Sequence, residues 1–444
     1  MRVFSFSYIC QLLGHVPVQG MGRGVCVDTR LLEKGNLFFA LPGAQVDGHS
    51  YLEEAAKKGA SGAVVKEDYH GPNFGMPLIR VKGVLEALQS LAKHVKKGSQ
   101  AQVVAVTGSI GKTTTKEFIA TLLKEKYKVA HSPGNSNSQI GLPLAVLNHT
   151  TGDEDVWVIE MGMTHPGNLT QLTQIVPPDV AIVTMTTLVH AVNFASLEEI
   201  GLAKGEIFSH PKTRVGILDY RIVNRQALEA IGNCRKITFA VDEPQAAYSL
   251  RVDGSNMIIK APQGEFILPL LSVPGNHNRH NFLGAAAVAL EMGVTGEQIQ
   301  AAVAKLELPE CRLQFVEKNG ALFVNDAYNA CVPSIKGALE SLPAPKGNGR
   351  KIAVLSEMAE LGGFAEACHK EVAEHALQYV DLMLCFGPHC KTIKEIWETA
   401  GRSVEWFMTR DEIVHAVRKH VKPGDVVLLK GARSRKMDKI LEEI

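Results

Sequence analysis

A net excess of either charge is missing from this chain: 47 Lys and Arg nearly cancel 46 Asp and Glu, leaving a formal net charge of +1. No overall field favours nucleic acid or an anionic membrane, so any polyanion must be bound locally. Paired cysteines are missing as well. The eight, at 10, 26, 234, 311, 331, 368, 385 and 390, form no CxxC pair and no ligand-spaced set. That is the pattern of free thiols in a reducing compartment, not of disulfides or structural zinc. No hydrophobic run approaches the length that spans a bilayer. The N-terminal MRVFSFSYICQLLG is broken by Ser5, Ser7 and Gln11 before a signal-peptide core can form, so the expected location is cytoplasmic. Repeats and low-complexity tracts are absent too.

What is present is a chain of 444 residues, too long for one core and suggesting about three domains. From Asn36 to Val81 the pattern reads strand (NLFFAL), glycine-rich turn (PGAQVDGHS), helix (YLEEAAKKGA) and two strands (GAVV, LIRV), a small α/β unit ending near Lys82. Residues 84–97 read as a helix. Buried-type runs VVAV, VWVIEM (156–161) and VAIVTM (180–185) then suggest parallel strands covered on both faces. Between 246 and 272 the texture alternates, with turns at Asp253-Gly254 and Gln263-Gly264, an antiparallel insert. Helical NFLGAAAVALEMG and EQIQAAVAKLE close this module near residue 308. The last module, from Pro309, sets IAVL, DLMLC, VEWF and VVLL between helical stretches, the rhythm of a doubly wound sheet. The expected fold class is α/β in three domains, 1–82, 83–308 and 309–444, the second a phosphate-loop module and the third Rossmann-like.

The most informative stretch is QVVAVTGSIGKTTTKE, 102–117. An apolar strand breaks into a glycine loop and restarts as a helix led by Lys and Thr. Glycines let backbone N–H groups point at an anion, and the helix start adds its positive end. Lys112 supplies a point charge and Thr113 a hydroxyl for Mg2+. Val106 stands where the strict GxxxxGK[ST] pattern needs its first glycine, so the loop is the shorter TGxxGKTTT form. Thr107, Gly108, Ser109, Ile110, Gly111, Lys112, Thr113 and Thr114 form the expected cradle.

A phosphate loop alone permits a kinase, a GTPase, a transporter ATPase or a ligase. Glu160 ends the buried run VWVIE and places a carboxylate where an Mg2+ beside phosphates needs one. His190 follows VAIVTMTTLVH at the equivalent edge, where a lone histidine is equally a hydrogen-bonded loop residue. Lys204, in EEIGLAKGEIF on an expected helix, would alone be read as a solvated charge. In PGNHNRHNFLGAAA, Asn278 and Asn281 could read an adenine edge or simply cap the helix. LFVNDAYNA ends a strand in Asn325, Asp326, Tyr328 and Asn329, and Arg312 could set a planar guanidinium on a phosphate across the cleft.

These segments, with GNSNSQIGLP (134–143), LSEMAELG (355–362) and LLKGARS (428–434), fall in the order and spacing of the Mur ligases, and the chain resembles that family along all three modules. DAYNA resembles the DxYNANP element of the members that add D-alanyl-D-alanine. Members adding diaminopimelate or lysine carry a DYAHTP-like element there, and their DNPR-type motif is absent. VDTR (27–30) with the segment 37–60 looks like the UDP-sugar-binding module of the family.

The resemblance implies a cytoplasmic, monomeric, ATP-dependent amide ligase that joins UDP-N-acetylmuramoyl-tripeptide to D-alanyl-D-alanine through an acyl phosphate, in peptidoglycan synthesis. It implies two Mg2+ ions: Thr113 and Glu160 at the first, His190 and a carbamylated Lys204 at the second. Asn278 and Asn281 would meet adenine, Arg312 the phosphates, and Asp326 the ribose or neighbouring polar groups from the third domain. Thr29, Arg30, Asp47, His49, Asn135 and Asn137 would contact the UDP-muramoyl-peptide, and Tyr328 and Asn329 the incoming dipeptide. Catalytic roles fall to Lys112, Glu160, His190, Lys204 and Arg312. The chain departs from the family pattern at Met185-Thr186, Val192, Asn325, ACVP (330–333) and Ser356. Competing readings are a superfamily ligase adding diaminopimelate, lysine or, on folate, glutamate, and a phosphate-loop ATPase that ligates nothing.

Overall fold

The computed structural model describes residues 1–43, 46–189 and 191–444; residues 44 and 45 of the expected glycine-rich turn, and His190, lie outside it. Three sheets of four or more strands follow one another along the chain, with a two-stranded one ahead of them. In the first, Val25–Cys26, Leu37–Phe39, Gly62–Lys66 and Leu78–Val81 lie side by side in chain order with every pair parallel. Ahead of them Val3–Ser5 pairs antiparallel with Met21–Arg23 around the helix Phe6–Leu13.

The helix Val84–Lys97 follows the expected bounds. Val84, Ala87, Leu88, Leu91 and Ala92 recur at helical spacing and are all buried, so one face is apolar. That face shares a core with Val64 and Ile79 on one side and Leu142 and Val146 on the other, joining the first sheet to the second. Lys96, at the helix end, donates to the Ala101 carbonyl at 2.7 Å beside the Trp157 ring, and burial lowers its pKa to about 8.

The second sheet has nine strands. From one edge they run Gly264–Pro269, Asn256–Ala261, Tyr248–Asp253, Arg235–Val241, Val215–Asp219, Val180–Val183, Gln102–Thr107, Val156–Glu160 and Val129–His131. The expected antiparallel insert is three strands that extend this same sheet, since Tyr248–Asp253 pairs parallel with Arg235–Val241. Alternate residues enter opposite cores: Val103, Ala105, Trp157, Ile159, Ala181 and Val183 pack on one face, and Val104, Val106, Val156, Val158, Val180 and Ile182 on the other. Burial on both faces is why these strands read as continuous apolar runs.

The third sheet orders Gln314–Lys318, Ala321–Asn325, Val426–Lys430, Lys351–Ser356, Leu382–Phe386 and Ser403–Phe407, parallel except for its first strand. That edge strand joins its neighbour through Asn319 and Gly320, both at positive φ (52° and 77°), the two-residue turn that matches strand twist. Among the described residues no helix is long and apolar enough to cross a membrane, and all eight cysteines are free.

Candidate active site

Parallel register brings Thr107, Glu160 and Val183 to one edge of the nine-stranded sheet, with Val106 opposite Glu160 and Thr107 opposite Val183. The loop after Thr107 has Gly108 at φ +152° and Gly111 at φ +79°. A Cβ at Gly108 would lie 2.0 Å from Thr184 Oγ1, and one at Gly111 2.4 Å from Asn281 Oδ1. Both positions therefore require glycine for space, and Gly111 for conformation as well. VAIVTM was expected to be strand to its end, but the strand stops at Val183. Its next residues brace the loop instead: Thr184 Oγ1 donates to the Ile110 carbonyl at 2.6 Å, and Ser109 N donates to Met185 O at 2.7 Å. Ser109 Oγ donates to Thr187 O at 2.8 Å. The departure Met185 thus braces the loop through its carbonyl, while the Thr186 hydroxyl is buried with no partner among the described residues.

Lys112 opens the helix Lys112–Leu123, and its amine donates to the Gly108 and Ser109 carbonyls at 2.8 and 3.2 Å. Burial lowers its pKa; Glu160 opposes the shift and Arg312 adds to it. Thr113 Oγ1 donates to Glu160 Oε2 at 2.9 Å, and Asn137 Nδ2 donates to Glu160 Oε1 at 2.6 Å. Glu160 is only 1% exposed, and both its oxygens are oriented. Arg312, between two left-handed residues Cys311 and Leu313, directs Nη2 at Thr113 Oγ1, 3.3 Å away. Its guanidinium lies 4.3 Å from the Tyr328 ring centroid, and its Nε is buried without a partner among the described residues.

On the opposite side the helix Asn276–Glu291 presents a chain of amides. Asn278 Nδ2 donates to Pro274 O at 2.6 Å, Asn281 Nδ2 to Asn278 Oδ1 at 3.0 Å, and Thr115 Oγ1 to Asn281 Oδ1 at 3.4 Å. Lys204 sits in the helix Leu197–Gly205, 3% exposed, with no hydrogen-bond or ion-pair partner among the described residues. Burial, and then the charge of Lys112, push its pKa well below the usual lysine range. His190 lies outside the described residues.

Asp326 is held on both oxygens, Oδ1 by Leu313 N at 3.2 Å and Oδ2 by the Lys430 amine. Lys430 also donates to Asn329 O at 3.0 Å, leaving the Asn329 side chain exposed. Asn325, a departure from the family pattern, donates to Cys311 Sγ at 3.7 Å and so steadies the segment carrying Arg312. Asn135 is exposed on the loop that carries Asn137.

The remaining expected residues sit apart, in the first sheet's loops. Arg30 is exposed and paired with Asp28 at 2.5 Å. Thr29 is buried, its carbonyl accepting from Lys58 Nζ at 2.8 Å. His49 Nε2 accepts from Lys66 N at 3.0 Å, so Nδ1 carries the proton that bonds Asp47 Oδ1 at 2.6 Å. Asp47 and His49 thereby fold their own loop. None of the four has a polar contact with the phosphate-loop cluster among the described residues.

Sequence reasoning missed Lys116. It is fully buried on the phosphate-loop helix, and its amine donates to Ser132 O at 2.5 Å and Gly134 O at 2.8 Å. Ser132 Oγ in turn accepts from Glu160 N at 3.0 Å. The loop 132–137, Glu160 and the helix form a closed hydrogen-bonded circuit. Its one sequence cue, a return to the Lys112 face of the helix one turn on, does not separate a buried lysine from a solvated one.

Family models match along most of the chain: "Mur ligase family, catalytic domain" over residues 23–96, "Mur ligase middle domain" over 106–289 and "Mur ligase, glutamate ligase domain" over 311–433. The UDP-N-acetylmuramoyl-tripeptide–D-alanyl-D-alanine ligase of Bacillus subtilis (strain 168) is 32% identical over 95% of this chain and 93% of its own. The enzyme of that name from Escherichia coli (strain K12) is 31% identical over 95% and 93%. Among solved structures, the MurF ligase of Thermotoga maritima in complex with ADP aligns with TM-score 0.77 at 28% identity, covering 95% of this chain and 96% of that one. A MurF crystal structure from Acinetobacter baumannii aligns with TM-score 0.86 at 24% identity over 100% and 99%, a likeness of fold. With its loop, its carboxylate and its three sheets accounted for along nearly the whole chain, the protein belongs to the Mur ligase family.

Proposed function

We propose that the protein is an ATP-dependent amide ligase that joins the terminal carboxylate of UDP-N-acetylmuramoyl-tripeptide to the amine of D-alanyl-D-alanine. The observation that carries this reading is the contact of Arg312 with Thr113, which brings the third sheet's segment onto the phosphate loop beside the Thr113–Glu160–Asn137 group. A switch or simple ATPase needs no such convergence. The named activity of relatives aligned over nearly the whole chain supports the same choice.

A carboxylate is a poor acyl donor. Its oxygen attacks the γ-phosphorus of ATP, the bond to ADP breaks, and the resulting acyl phosphate is open to the amine. The amine then bonds the carbonyl carbon, inorganic phosphate leaves, and the amine proton is lost to base. Lys112 and the loop N–H groups not already bonded within the fold neutralise the transferred phosphoryl, with Arg312 approaching from the other domain. Asn278 and Asn281 face the adenine, and Asp326, held by Lys430, the ribose. Asn135 and Asn137 meet the muramoyl peptide, Thr29, Arg30, Asp47 and His49 line its UDP end, and Tyr328 and Asn329 meet the dipeptide.

A hydroxyl beside a buried carboxylate is a hard-oxygen pair that fits Mg2+, so Thr113 and Glu160 would hold one ion. When bound, Mg2+ offsets negative charge on the phosphates. Lys204 fits a carbamate: its buried amine, favoured in the neutral form, can bond the carbon of CO2, lose a proton and become an anion that supports a second ion together with His190. The domains divide at 82/83 and 308/309.

An acceptor screen tests the reading. Purified protein with ATP, Mg2+ and UDP-N-acetylmuramoyl-tripeptide is offered D-alanyl-D-alanine, diaminopimelate, lysine or glutamate. Product with the dipeptide alone supports it, and product with a free amino acid instead overturns it.

A further inference from the structure

Glu206 stands two residues after Lys204, where the helix Leu197–Gly205 runs on into a single 3-10 turn. Its carboxylate reaches another helix. Oε1 accepts from Gly167 N at 2.6 Å, and Oε2 accepts from Thr170 N and Thr170 Oγ1, each at 3.2 Å. These donors open the helix Asn168–Ile175, whose cap residue Gly167 has no side chain to accept them. The nearest alternative is already committed: Asn168 Oδ1 accepts from Thr164 N and His165 N, both at 3.1 Å. A carboxylate suits the positive end of a helix, and here it is supplied from 39 residues away.

The segment 161–167 joins Glu160 to that capped helix. Its start is tied to the loop carrying Asn137: Gly162 N donates to Asn137 O at 2.8 Å, and a Cβ at Gly162 would lie 2.7 Å from Asn137 Oδ1. Gln139 Nε2, from the same loop, donates to Asn168 O at 3.0 Å. Met161 and Met163 share a core with Ile200, Ile207 and Phe208 of the Lys204 segment. These ties run from Thr113 through Glu160, Asn137, the segment 161–167 and Glu206 to Lys204. The Lys204 side chain has no hydrogen-bond or ion-pair partner among the described residues, so its place is set by its backbone. Whatever fixes that backbone against the Glu160 loop fixes the distance between the two side chains.

Resting on the ligase reading above, we propose that Glu206 is a positioning residue: it holds the segment carrying Lys204 against the loop that follows Glu160 and so sets the spacing of Glu160 and Lys204. It touches neither substrate nor reacting atoms. Partners one shell out from metal-binding groups orient those groups and tune the site they build. A cap with no further role would steady one eight-residue helix and leave the chemistry untouched, which is the difference the test reads.

The test compares the full-length wild type with Glu206→Ala and Glu206→Gln, using ATP, Mg2+, UDP-N-acetylmuramoyl-tripeptide and D-alanyl-D-alanine. Glu206→Ala is expected to lower kcat roughly 10- to 100-fold, the range for losing an outer-shell partner of a metal site, and to raise the Mg2+ concentration that gives half the maximal rate. Its KM for D-alanyl-D-alanine stays near wild type. In protein free of nucleotide and metal, amides 167–170 exchange faster, and the 13C carbamate resonance given by labelled CO2 weakens. Glu206→Gln keeps one acceptor oxygen, falls between, and serves if the alanine variant does not fold. Faster exchange with kcat, Mg2+ dependence and carbamate unchanged would make Glu206 a helix cap only and overturn the assignment while leaving the ligase intact. A wild type without the carbamate resonance ends the carbamate reading, and kcat and Mg2+ dependence then decide this one. A wild type that does not ligate the dipeptide sinks the ligase reading and this one with it.

Discussion

Replacing Lys116 by methionine tests the circuit beneath the site. Methionine keeps most of the aliphatic volume but removes the donor to Ser132 O and Gly134 O, at 2.5 and 2.8 Å, and the partner of Glu117 at 2.9 Å. Hydrogen bonds involving a charged group contribute about 1.5–3 kcal/mol each. Relief from burying an ammonium offsets part of two such losses, leaving a net cost of about 3 kcal/mol for holding loop 132–137 in place. If that cost falls on substrate binding, tripeptide affinity drops roughly 100-fold. Titration calorimetry with UDP-N-acetylmuramoyl-tripeptide, in the absence of nucleotide, reads it directly. ADP affinity serves as the control, because the Gly108–Lys112 loop is braced by Thr184 and Met185 rather than by Lys116. Hydrogen exchange of amides 132–138 should rise in parallel. Wild-type tripeptide affinity together with unchanged exchange would refute the circuit.

Gly111→Ala forces a Cβ to 2.4 Å from Asn281 Oδ1 at φ +79°; with strain of about 1–3 kcal/mol, the KM for ATP should rise at least severalfold with circular dichroism unchanged. Leu88→Ala opens the core shared by the first and second sheets and should cost about 2–5 kcal/mol in denaturant unfolding. Glu117 is pushed up by burial, but the His131 ring, 3.3 Å away, and the Lys116 charge outweigh that and lower its pKa to about 2 from 4.5. A depressed acid stabilises the fold above its unfolded pKa, so this contribution is lost as pH falls from 4.5 toward 2, and Lys116→Met should weaken that acid dependence in melting scans. Labelled 13CO2 should give a carbamate resonance in the wild type that Lys204→Arg lacks; a spectrum without it refutes the carbamate. Closure of the outer domains on the central one should reduce the radius of gyration when nucleotide and tripeptide are both present, and scattering curves that do not change would count against it.

The strands that build the site were legible because both their faces are buried, as in VVAV and VWVIE, and the phosphate loop because its glycines and Lys112 lie contiguously in sequence. Glu160 was readable as a carboxylate ending such a run. Lys116 was not, since a lysine in a helix ordinarily faces water, and its burial depends on carbonyls of a loop sixteen and eighteen residues away. Nor was the end of VAIVTM: Thr184 is β-branched and favours a strand, but its hydroxyl is used on the phosphate loop. Lys430 acquires its place beside Asp326 only when the last strand inserts beside Ala321–Asn325, a pairing across about a hundred residues that no local pattern encodes. The Asn319-Gly320 hairpin was available in the sequence as an Asn-Gly pair between apolar stretches.

The most direct measurement of the central claim is phosphate release by the purified protein with ATP, Mg2+ and UDP-N-acetylmuramoyl-tripeptide, with and without D-alanyl-D-alanine, alongside mass analysis of the uridine-nucleotide product. The ligase reading predicts release that depends on the dipeptide and a product heavier by one dipeptide less water. Release indifferent to both peptide substrates, with no change in product mass, would contradict it.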